Sequence, residues 1–208
     1  MLPFIIAGIA TGAIYGLAAT GLVLTYRTAG IFNFAYGAVA AAAAYGFYWL
    51  HEVNALPWVP AGLISLFVFG PMAGLLFERI GRRLSHQATA MKVVGTIGII
   101  LIVEALATLK FGPSQLTVSQ FLPDGGDTFR IGGANVTYAE LTIFLVAVAG
   151  VGFLYWLLRT TRLGVSMRAV VDDPGLVSLH GNSPVRIRRY AWITGTTFAA
   201  LSGILIVP

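Results

Sequence analysis

The chain has 208 residues, of which 57% are hydrophobic, 25 are glycine and only 10% are charged. Soluble domains carry about 25% charged residues and need a polar shell, so this composition excludes a soluble enzyme, a nucleic-acid-binding domain and a disordered chain. It is typical of an integral membrane protein, and the net charge of +5 fits an excess of basic residues in cytoplasmic loops. The absence of cysteine excludes disulfides, thiolate metal sites and cysteine nucleophiles.

Apolar stretches predict about six membrane-spanning helices, because one crossing takes about 20 helical residues. Residues 2–50 carry a single charge, Arg27, and are too long for one crossing, so they are divided into two spans. The predicted spans are Leu2–Tyr26, Thr28–Leu50, Val53–Phe77, Val93–Leu109, Leu141–Leu158 and a last one from about Ala191 to Pro208. Pro57, Pro60 and Pro71 make the third span the one expected to be kinked.

Backbone groups in hydrocarbon must be bonded within their own segment. The sequence therefore predicts an all-α polytopic helical bundle that forms a single transmembrane domain over residues 1–208. The last predicted helix ends at Pro208 without a charged residue after it. This favours a C-terminally truncated chain, a split gene or a chain that pairs with a second subunit.

The loops between the predicted helices differ in charge. Loop 78–92 has four basic residues and loop 159–190 has six, whereas loop 110–140 has two and also contains acidic residues, glycine and proline. Because cytoplasmic loops carry the excess of Lys and Arg, loops 78–92 and 159–190 are predicted to be cytoplasmic. Loop 110–140 and the N-terminus are then extracytoplasmic.

Gly8, Gly12 and Gly16 recur every four residues on the first predicted helix. This spacing places small residues on one face, where another helix can approach closely. Packing within the same subunit is the favoured interpretation, and a dimer contact is the alternative.

Two polar residues within apolar segments are candidates for the substrate path. Glu104 lies in the fourth predicted span, and ionisable groups in a membrane are costly enough to be functional candidates. Asn33 lies in the aromatic, glycine-bounded stretch 30–37, which could interrupt a helix and expose backbone groups to a polar ligand. The alternatives are a position near the outer water boundary or a protonated carboxyl for Glu104, and a hydrogen bond between helices for Asn33.

Loop 159–190 contains a short helix with a defined start and stop. Asp173 and Pro174 form an N-cap and first-turn pair, and Gly181 is a natural stop. Leu176, Val177 and Leu179 give this helix an apolar face, which predicts docking of a cytosolic protein or contact with the bundle or lipid surface. A second start follows at Ser183 and Pro184.

Several chemistries lack their sequence patterns. The three histidines are scattered and no carboxylate cluster has metal-ligand spacing, so no metal site is predicted. No glycine-rich loop ending in Lys-Ser or Lys-Thr is present, and no nucleophile–base pair is evident, so the chain is predicted to be neither an ATPase nor another enzyme.

Three parts of the chain resemble the permease subunits of branched-chain amino acid ATP-binding cassette (ABC) transporters, the family of high-affinity leucine, isoleucine and valine uptake. They follow the family's order along most of the chain. The matching stretches are 12–17, 21–27 and 33–37; then 77–79 and 95–98; then 168–174, 179–181 and 186–188.

This resemblance implies a permease of the type II-like ABC importer fold in the bacterial inner membrane. Its implied partners are cytosolic ATP-binding subunits, a second permease subunit, identical or different, and an extracytoplasmic solute-binding protein. The chain itself would need no cofactor, because the partner subunits bind ATP. In that family the loop corresponding to 168–181 docks on the ATPase. The residues carried over to this role are Arg168, Ala169, Asp172, Asp173, Pro174, Leu176, Leu179 and Gly181. Family permeases usually carry further helices after that loop, so the resemblance implies either a partial chain or an unusual assembly.

Three other functions stay open on the sequence. A related permease for urea or short amides has the same features. A secondary transporter or channel without an ATPase would give Glu104 a larger role and the 172–181 helix a smaller one. A non-transporting membrane scaffold would bind partners without flux.

Overall fold

The computed structural model describes residues 2–30, 32–84, 87–113, 116–119, 121–122, 128–131 and 134–207. Helices dominate these ranges. The elements are α1 (Leu2–Ala29), α2 (Tyr36–Tyr48), a π-helical turn (Trp49–Val53), α3 (Trp58–Ile64), a second π-helical turn (Ser65–Phe69), α4 (Gly70–Leu84), α5 (Thr89–Phe111), β1 (Thr128–Ile131), β2 (Ala134–Thr137), α6 (Tyr138–Thr160), α7 (Arg162–Asp172), α8 (Pro174–Leu179) and α9 (Pro184–Leu205).

The start of the second predicted span is wrong. Thr28 still belongs to α1, and the helix resumes only at Tyr36. Gly30 ends α1, because its φ of 69° is in the left-handed region that glycine adopts without strain, and its N–H bonds the Tyr26 carbonyl oxygen at 2.8 Å. The segment after Gly30 therefore separates two helices, which is the helix interruption that the sequence analysis considered for the stretch around Asn33.

Capping residues also move the ends of other helices away from the apolar stretches. α6 begins at Tyr138 rather than Leu141, because Thr137 and Glu140 form a capping box. The Thr137 hydroxyl accepts a bond from the Glu140 N–H at 3.2 Å, and the Glu140 carboxylate accepts one from the Thr137 N–H at 3.0 Å. A second helix end also differs from the prediction. α4 continues to Leu84, so most of the predicted loop 78–92 is helical.

The third predicted span contains the expected irregularity. The π-helical turn Ser65–Phe69 lies immediately before α4, whose second residue is Pro71. Proline lacks an N–H and its ring crowds the carbonyl four residues earlier, so a widened turn at this point accommodates it. Pro57 instead lies at the N-cap of α3.

The helical membrane fold is confirmed, but only four helices of the described residues are long and apolar enough to cross a bilayer by themselves. They are Phe4–Ala29, Trp58–Leu84, Thr89–Phe111 and Tyr138–Thr160. The other two predicted spans correspond to α2, which has 13 residues, and α9, which begins with a basic turn. For these two helices, membrane crossing stays a prediction.

The centre of the bundle is α9, which packs against α1, α2 and α4. Glycines on α9 and its neighbours permit this close approach. A Cβ atom on Gly195 would lie 2.8 Å from the Gly21 carbonyl oxygen, and one on Gly74 would lie 2.6 Å from the Ile193 Cα atom. A Cβ on Gly203 would overlap the Ala40 carbonyl oxygen. Backbone therefore lies directly against backbone at these crossings, as in other membrane helix pairs.

The arginines gather at one end of the bundle, here called the arginine-rich end. It comprises the last turns of α4, the helices α7 and α8 and the first turns of α9. Ala29 of α1, Gly81 of α4 and Arg188 of α9 line one small cavity there, of about 80 Å³. The last turn of α1 therefore lies at the same end as the segments 78–84 and 162–190.

The opposite end carries aromatic and polar residues of loop 110–140 and the turn after α2. The Lys110 ammonium lies 4.1 Å from the centre of the Trp49 ring. The Ser119 N–H donates to the Glu52 carboxylate at 2.7 Å, and the Ser119 hydroxyl also donates to it. Trp side chains are enriched at the membrane–water boundary, so we expect the boundary at this end to lie near Trp49 and Lys110.

Part of the predicted loop 110–140 forms a two-stranded antiparallel hairpin. β1 pairs with β2 in the register Phe129 opposite Val136, and the strands flank Gly132 and Gly133, which lie outside the described residues. A Gly-Gly pair between two short β-prone runs is a hairpin signal that the sequence analysis did not use.

Candidate functional site

The candidate coupling segment, residues 161–183, lies at the arginine-rich end and begins with α7. The Thr161 hydroxyl accepts a bond from the Gly164 N–H at 3.0 Å and so caps this helix. Gly164 lies against the Leu157 carbonyl oxygen and the Leu158 backbone, where a side chain would collide. Met167 and Val170 are buried in the bundle core. α7 is therefore held at both its first turn and its inner face.

Asp173 caps α8, as the sequence predicts. One oxygen of its carboxylate accepts bonds from the Gly175 N–H at 2.8 Å and the Leu176 N–H at 3.0 Å. Pro174 occupies the first helical position, where its missing N–H costs nothing and its fixed φ suits the helix. The side chain thus satisfies two of the donors that a helix start leaves unbonded.

Gly181 ends α8 with a φ of 78°. Its N–H bonds the Ser178 carbonyl oxygen at 3.0 Å, and the Asn182 N–H bonds the Val177 carbonyl oxygen at 3.2 Å. This pair of bonds is a Schellman motif, which glycine favours because of its positive φ. Ser183 then caps α9 through a bond from the Arg186 N–H at 3.5 Å. Both ends of α8 are therefore fixed by local hydrogen bonds.

The predicted apolar face of α8 is divided between two sides of the helix, which corrects the sequence interpretation. Val177 is buried in the same core as Met167 and Ile187. In contrast, Leu176 is 54% exposed and Leu179 is 84% exposed. A separation of three residues places Leu176 and Leu179 on one side of the helix, whereas Val177 is turned away by about 100°. We call Leu176 and Leu179 the exposed leucine pair.

The other predicted coupling residues lie on α7. Arg168 and Asp172 are exposed, and Ala169 is half-buried. Arg168 and Asp172 are four residues apart and therefore share one face of the helix. The outer surface of the segment thus combines a charged face on α7 with the exposed leucine pair on α8.

Glu78 is a site residue whose role the sequence analysis missed. It is only 5% exposed, although it lies on α4 among basic residues. Its carboxylate oxygens are 3.7 Å from Arg82 Nε and 3.7 Å from Arg189 Nε on α9. A carboxylate next to a buried aromatic, Phe77, within an otherwise basic stretch was the available signal. The ion pair joins α4 to the first turns of α9, directly after the coupling segment.

The helix break after α1 is stabilised by local bonds. Asn33 is 1% exposed, and its side-chain oxygen accepts the Ala35 N–H at 3.0 Å. Its side-chain nitrogen is buried and has no partner within the described ranges. Tyr36 at the start of α2 donates its hydroxyl to the Gly195 carbonyl oxygen of α9. The structure thus places Asn33 in a buried turn, apart from the exposed face that carries Glu104.

Glu104 lies on a face of α5 that contacts no other helix described here. The side chain is exposed, as are those of Ile97, Leu101 and Thr108, which lie along the same face. The inner face of α5 instead packs against α2 and α4 through residues such as Ile99 and Val103. The part of the chain that the structure describes offers Glu104 no ion-pair partner.

The glycine face on α1 finds no packing partner within the described residues, so packing of this face within the same subunit stays a prediction. A Cβ atom added at Gly8, Gly12 or Gly16 would find no atom within 4 Å. Gly16 borders an open apolar groove between α1 and α6, with Gly152 on the other side. The glycines that pack closely are instead those at the α9 crossings, such as Gly195 and Gly203.

Comparison with known proteins gives consistent relatives over nearly the whole chain. The family model described as the branched-chain amino acid transport system permease component matches residues 4–208. The high-affinity branched-chain amino acid transport system permease protein LivH of Salmonella typhimurium is 23% identical, over 96% of this chain and 68% of that protein.

Two further relatives come from other organisms. The corresponding permease protein BraD of Pseudomonas aeruginosa is 24% identical, over 97% of this chain and 69% of BraD. A probable branched-chain amino acid transport permease protein LivH of Methanocaldococcus jannaschii is 25% identical, over 91% of this chain and 61% of that protein. No solved structure matches the chain.

Proposed function

Because the chain belongs to the family of branched-chain amino acid transport permease components, we propose that it is the membrane subunit of an ABC importer for branched-chain or other small amino acids. It is a multi-pass membrane protein, and we place it in the bacterial inner membrane with the arginine-rich end in the cytoplasm. Its proposed partners are cytosolic ATP-binding subunits, a second permease subunit and an extracytoplasmic solute-binding protein. ATP is then bound by the partner subunits and not by this chain.

The observation that carries this proposal is the construction of α8. The helix is capped at both ends, and Val177 holds it to the core that also contains Met167 and Ile187. Its outer side presents the exposed leucine pair at the end of the bundle that the charge distribution assigns to the cytoplasm. Exposed leucines on a rigid, cytoplasmic helix are suited to an apolar pocket on a soluble partner.

The connection of α8 to the bundle explains how a force on it reaches the membrane helices. α8 is followed after a short turn by α9, which packs against α1, α2 and α4. The Glu78–Arg189 pair ties the beginning of α9 to α4. A displacement of α8 by a closing ATPase would therefore move α9 and its partners together, whereas a flexible loop would absorb the movement.

We expect the double variant Leu176→Asp/Leu179→Asp to lower the rate of ATP-dependent leucine uptake in membrane vesicles at least tenfold. The two carboxylates would have to be buried in the apolar contact, at a cost of several kcal/mol. The ATP-binding subunit should also fail to copurify with the variant, although the amount of protein in the membrane stays the same.

Met91→Asp is the matched control, because Met91 is 53% exposed in the first turn of α5, outside the candidate coupling segment. It should retain both uptake and copurification. Full ATP-dependent uptake in the double variant would contradict the assignment of α8. Uptake by the unaltered chain that follows an ion gradient and needs no ATP would contradict the importer itself.

We expect Asp173→Ala to reduce the amount of leucine transported per ATP hydrolysed, because loss of an N-cap weakens a helix by about 1 kcal/mol. Asp173→Asn should retain most of the coupling, since the amide oxygen still accepts the N–H groups of Gly175 and Leu176. The measurement is parallel uptake and ATP hydrolysis in proteoliposomes. If Asp173→Asn lowered the leucine transported per ATP as much as Asp173→Ala does, the negative charge would matter and not the cap.

A further inference from the structure

The face of α5 that carries Glu104 has a defined composition and orientation. Ile97, Leu101, Glu104 and Thr108 follow each other at intervals of four, three and four residues, which places them along one face of a helix. Ile97 is 43% exposed and Leu101 is 60% exposed. The Thr108 hydroxyl donates to the Glu104 backbone oxygen at 2.9 Å. Of these four residues, only Glu104 has an ionisable side chain.

The depth of Glu104 follows from its distance to the boundary residues. Lys110 lies over the Trp49 ring at the opposite end, where we expect the membrane–water boundary. Glu104 is six residues earlier on the same helix, which places its Cα about 9 Å further into the bilayer. A glutamate side chain is too short to reach the boundary from that depth.

Neither lipid nor the part of the chain that the structure describes offers the carboxylate a suitable environment. A charge that faces hydrocarbon is strongly unfavourable, and such residues generally face a water-filled cavity or another polar group. The described ion pairs of the chain involve Glu78 and not Glu104. Lys110 is six residues away along α5 and lies over the Trp49 ring. The face therefore borders an aqueous space that the described residues do not enclose by themselves.

We propose that the Ile97–Leu101–Glu104–Thr108 face lines the substrate passage, and that the Glu104 carboxylate binds the α-ammonium group of the amino acid that passes. Ile97 and Leu101 then contact the apolar side chain of this substrate. This inference rests on the proposed function, since it takes a zwitterionic amino acid as the transported species. A carboxylate beside two aliphatic side chains complements both the ammonium group and the hydrocarbon part of such a substrate.

Single-cysteine labelling tests whether the face borders water, because the natural chain has no cysteine. Leu101→Cys and Ile102→Cys form a matched pair, since Leu101 is 60% exposed and Ile102 is 59% exposed but turned by about 100° around the helix. In membranes that contain the assembled importer, a water-soluble methanethiosulfonate should label Cys at 101 at least tenfold faster than Cys at 102. Labelling after detergent denaturation supplies the reference for total thiol. Equal rates at the two positions would overturn the proposal.

Leucine uptake tests the role of the carboxylate. Glu104→Gln should lower the uptake rate at least tenfold, and Glu104→Asp should retain more of it, because an amide does not compensate the ammonium charge. Unchanged uptake in Glu104→Gln, with the unaltered chain active, would overturn the role of Glu104 and leave the importer assignment intact. Absence of ATP-dependent uptake in the unaltered, assembled complex would instead contradict the proposed function.

Discussion

Arg189→Ala is expected to destabilise the protein by about 3 kcal/mol, because it leaves a buried carboxylate without one of its partners. Glu78 is 5% exposed, and the remaining arginine in the pair, Arg82, is 54% exposed. The effect is measured as the shift of the unfolding midpoint in mixed micelles of dodecyl maltoside and SDS. Uptake should fall as well, since α4 and the first turns of α9 would no longer move together.

The control for this variant is Arg186→Ala, which removes an exposed arginine from the same turn of α9. It should change the free energy of unfolding by about 0.5 kcal/mol at most. Glu78→Gln is expected to cost less than Arg189→Ala, because it removes the buried charge itself. The double variant Glu78→Gln/Arg189→Ala should therefore be more stable than the sum of the two single effects predicts. Strictly additive effects would contradict the ion pair.

Gly203→Ala is expected to destabilise the protein by about 3 kcal/mol, at the upper end of the range for overpacked sites. The added methyl group would overlap the Ala40 carbonyl oxygen of α2. A backbone oxygen cannot rotate aside as a side chain can, so the two helices would have to separate. The same SDS titration measures the loss of stability.

Gly98→Ala is the matched substitution on α5, where an added Cβ would have no neighbour within 4 Å. It should leave stability unchanged or raise it slightly, because alanine has the higher helix propensity. A loss for Gly203→Ala no larger than that for Gly98→Ala would show that α2 and α9 are not in backbone contact.

The helical membrane fold and its four long apolar helices could be predicted from the sequence, because apolar length determines where a chain can cross a bilayer. The helix ends could not be predicted in the same way. They depend on caps such as Gly30 after α1 and the Thr137–Glu140 box before α6, which act by local hydrogen bonding and not by hydrophobicity. Thr28 and Leu141 were therefore placed wrongly as the starts of helices.

In the candidate site, too, features that depend on neighbouring residues could be predicted, whereas contacts between distant residues could not. The caps of α8, Asp173 and Gly181, could be predicted because each acts within a few residues of its own position. The side of α8 that is buried could not, since it depends on packing against the core around Met167. Nor could the contact of Glu78 with Arg189, because the two residues are far apart in sequence and meet only through the pairing of α4 with α9.

The glycine face of α1 shows a limit of spacing arguments. Gly8, Gly12 and Gly16 have the spacing of a packing motif, yet no atom of the described residues lies within 4 Å of a Cβ added at any of them. Gly195 and Gly203 of α9 lie in close contact with other helices but are eight residues apart. Spacing indicates that a helix can be approached closely, whereas the partner depends on the whole bundle.

Crosslinking from position 179 tests the central claim most directly. Leu179→Cys, labelled with a photoreactive maleimide in native membranes, places the reagent on the most protruding residue of the exposed leucine pair. The control is Val53→Cys. Val53 is 57% exposed and lies in the π-helical turn after α2, at the other end of the bundle. The account predicts an adduct between position 179 and a soluble ATP-binding subunit, identified by mass spectrometry, and none from position 53. Adducts from position 179 with lipid alone, or an ATP-binding subunit captured equally from both positions, would contradict it.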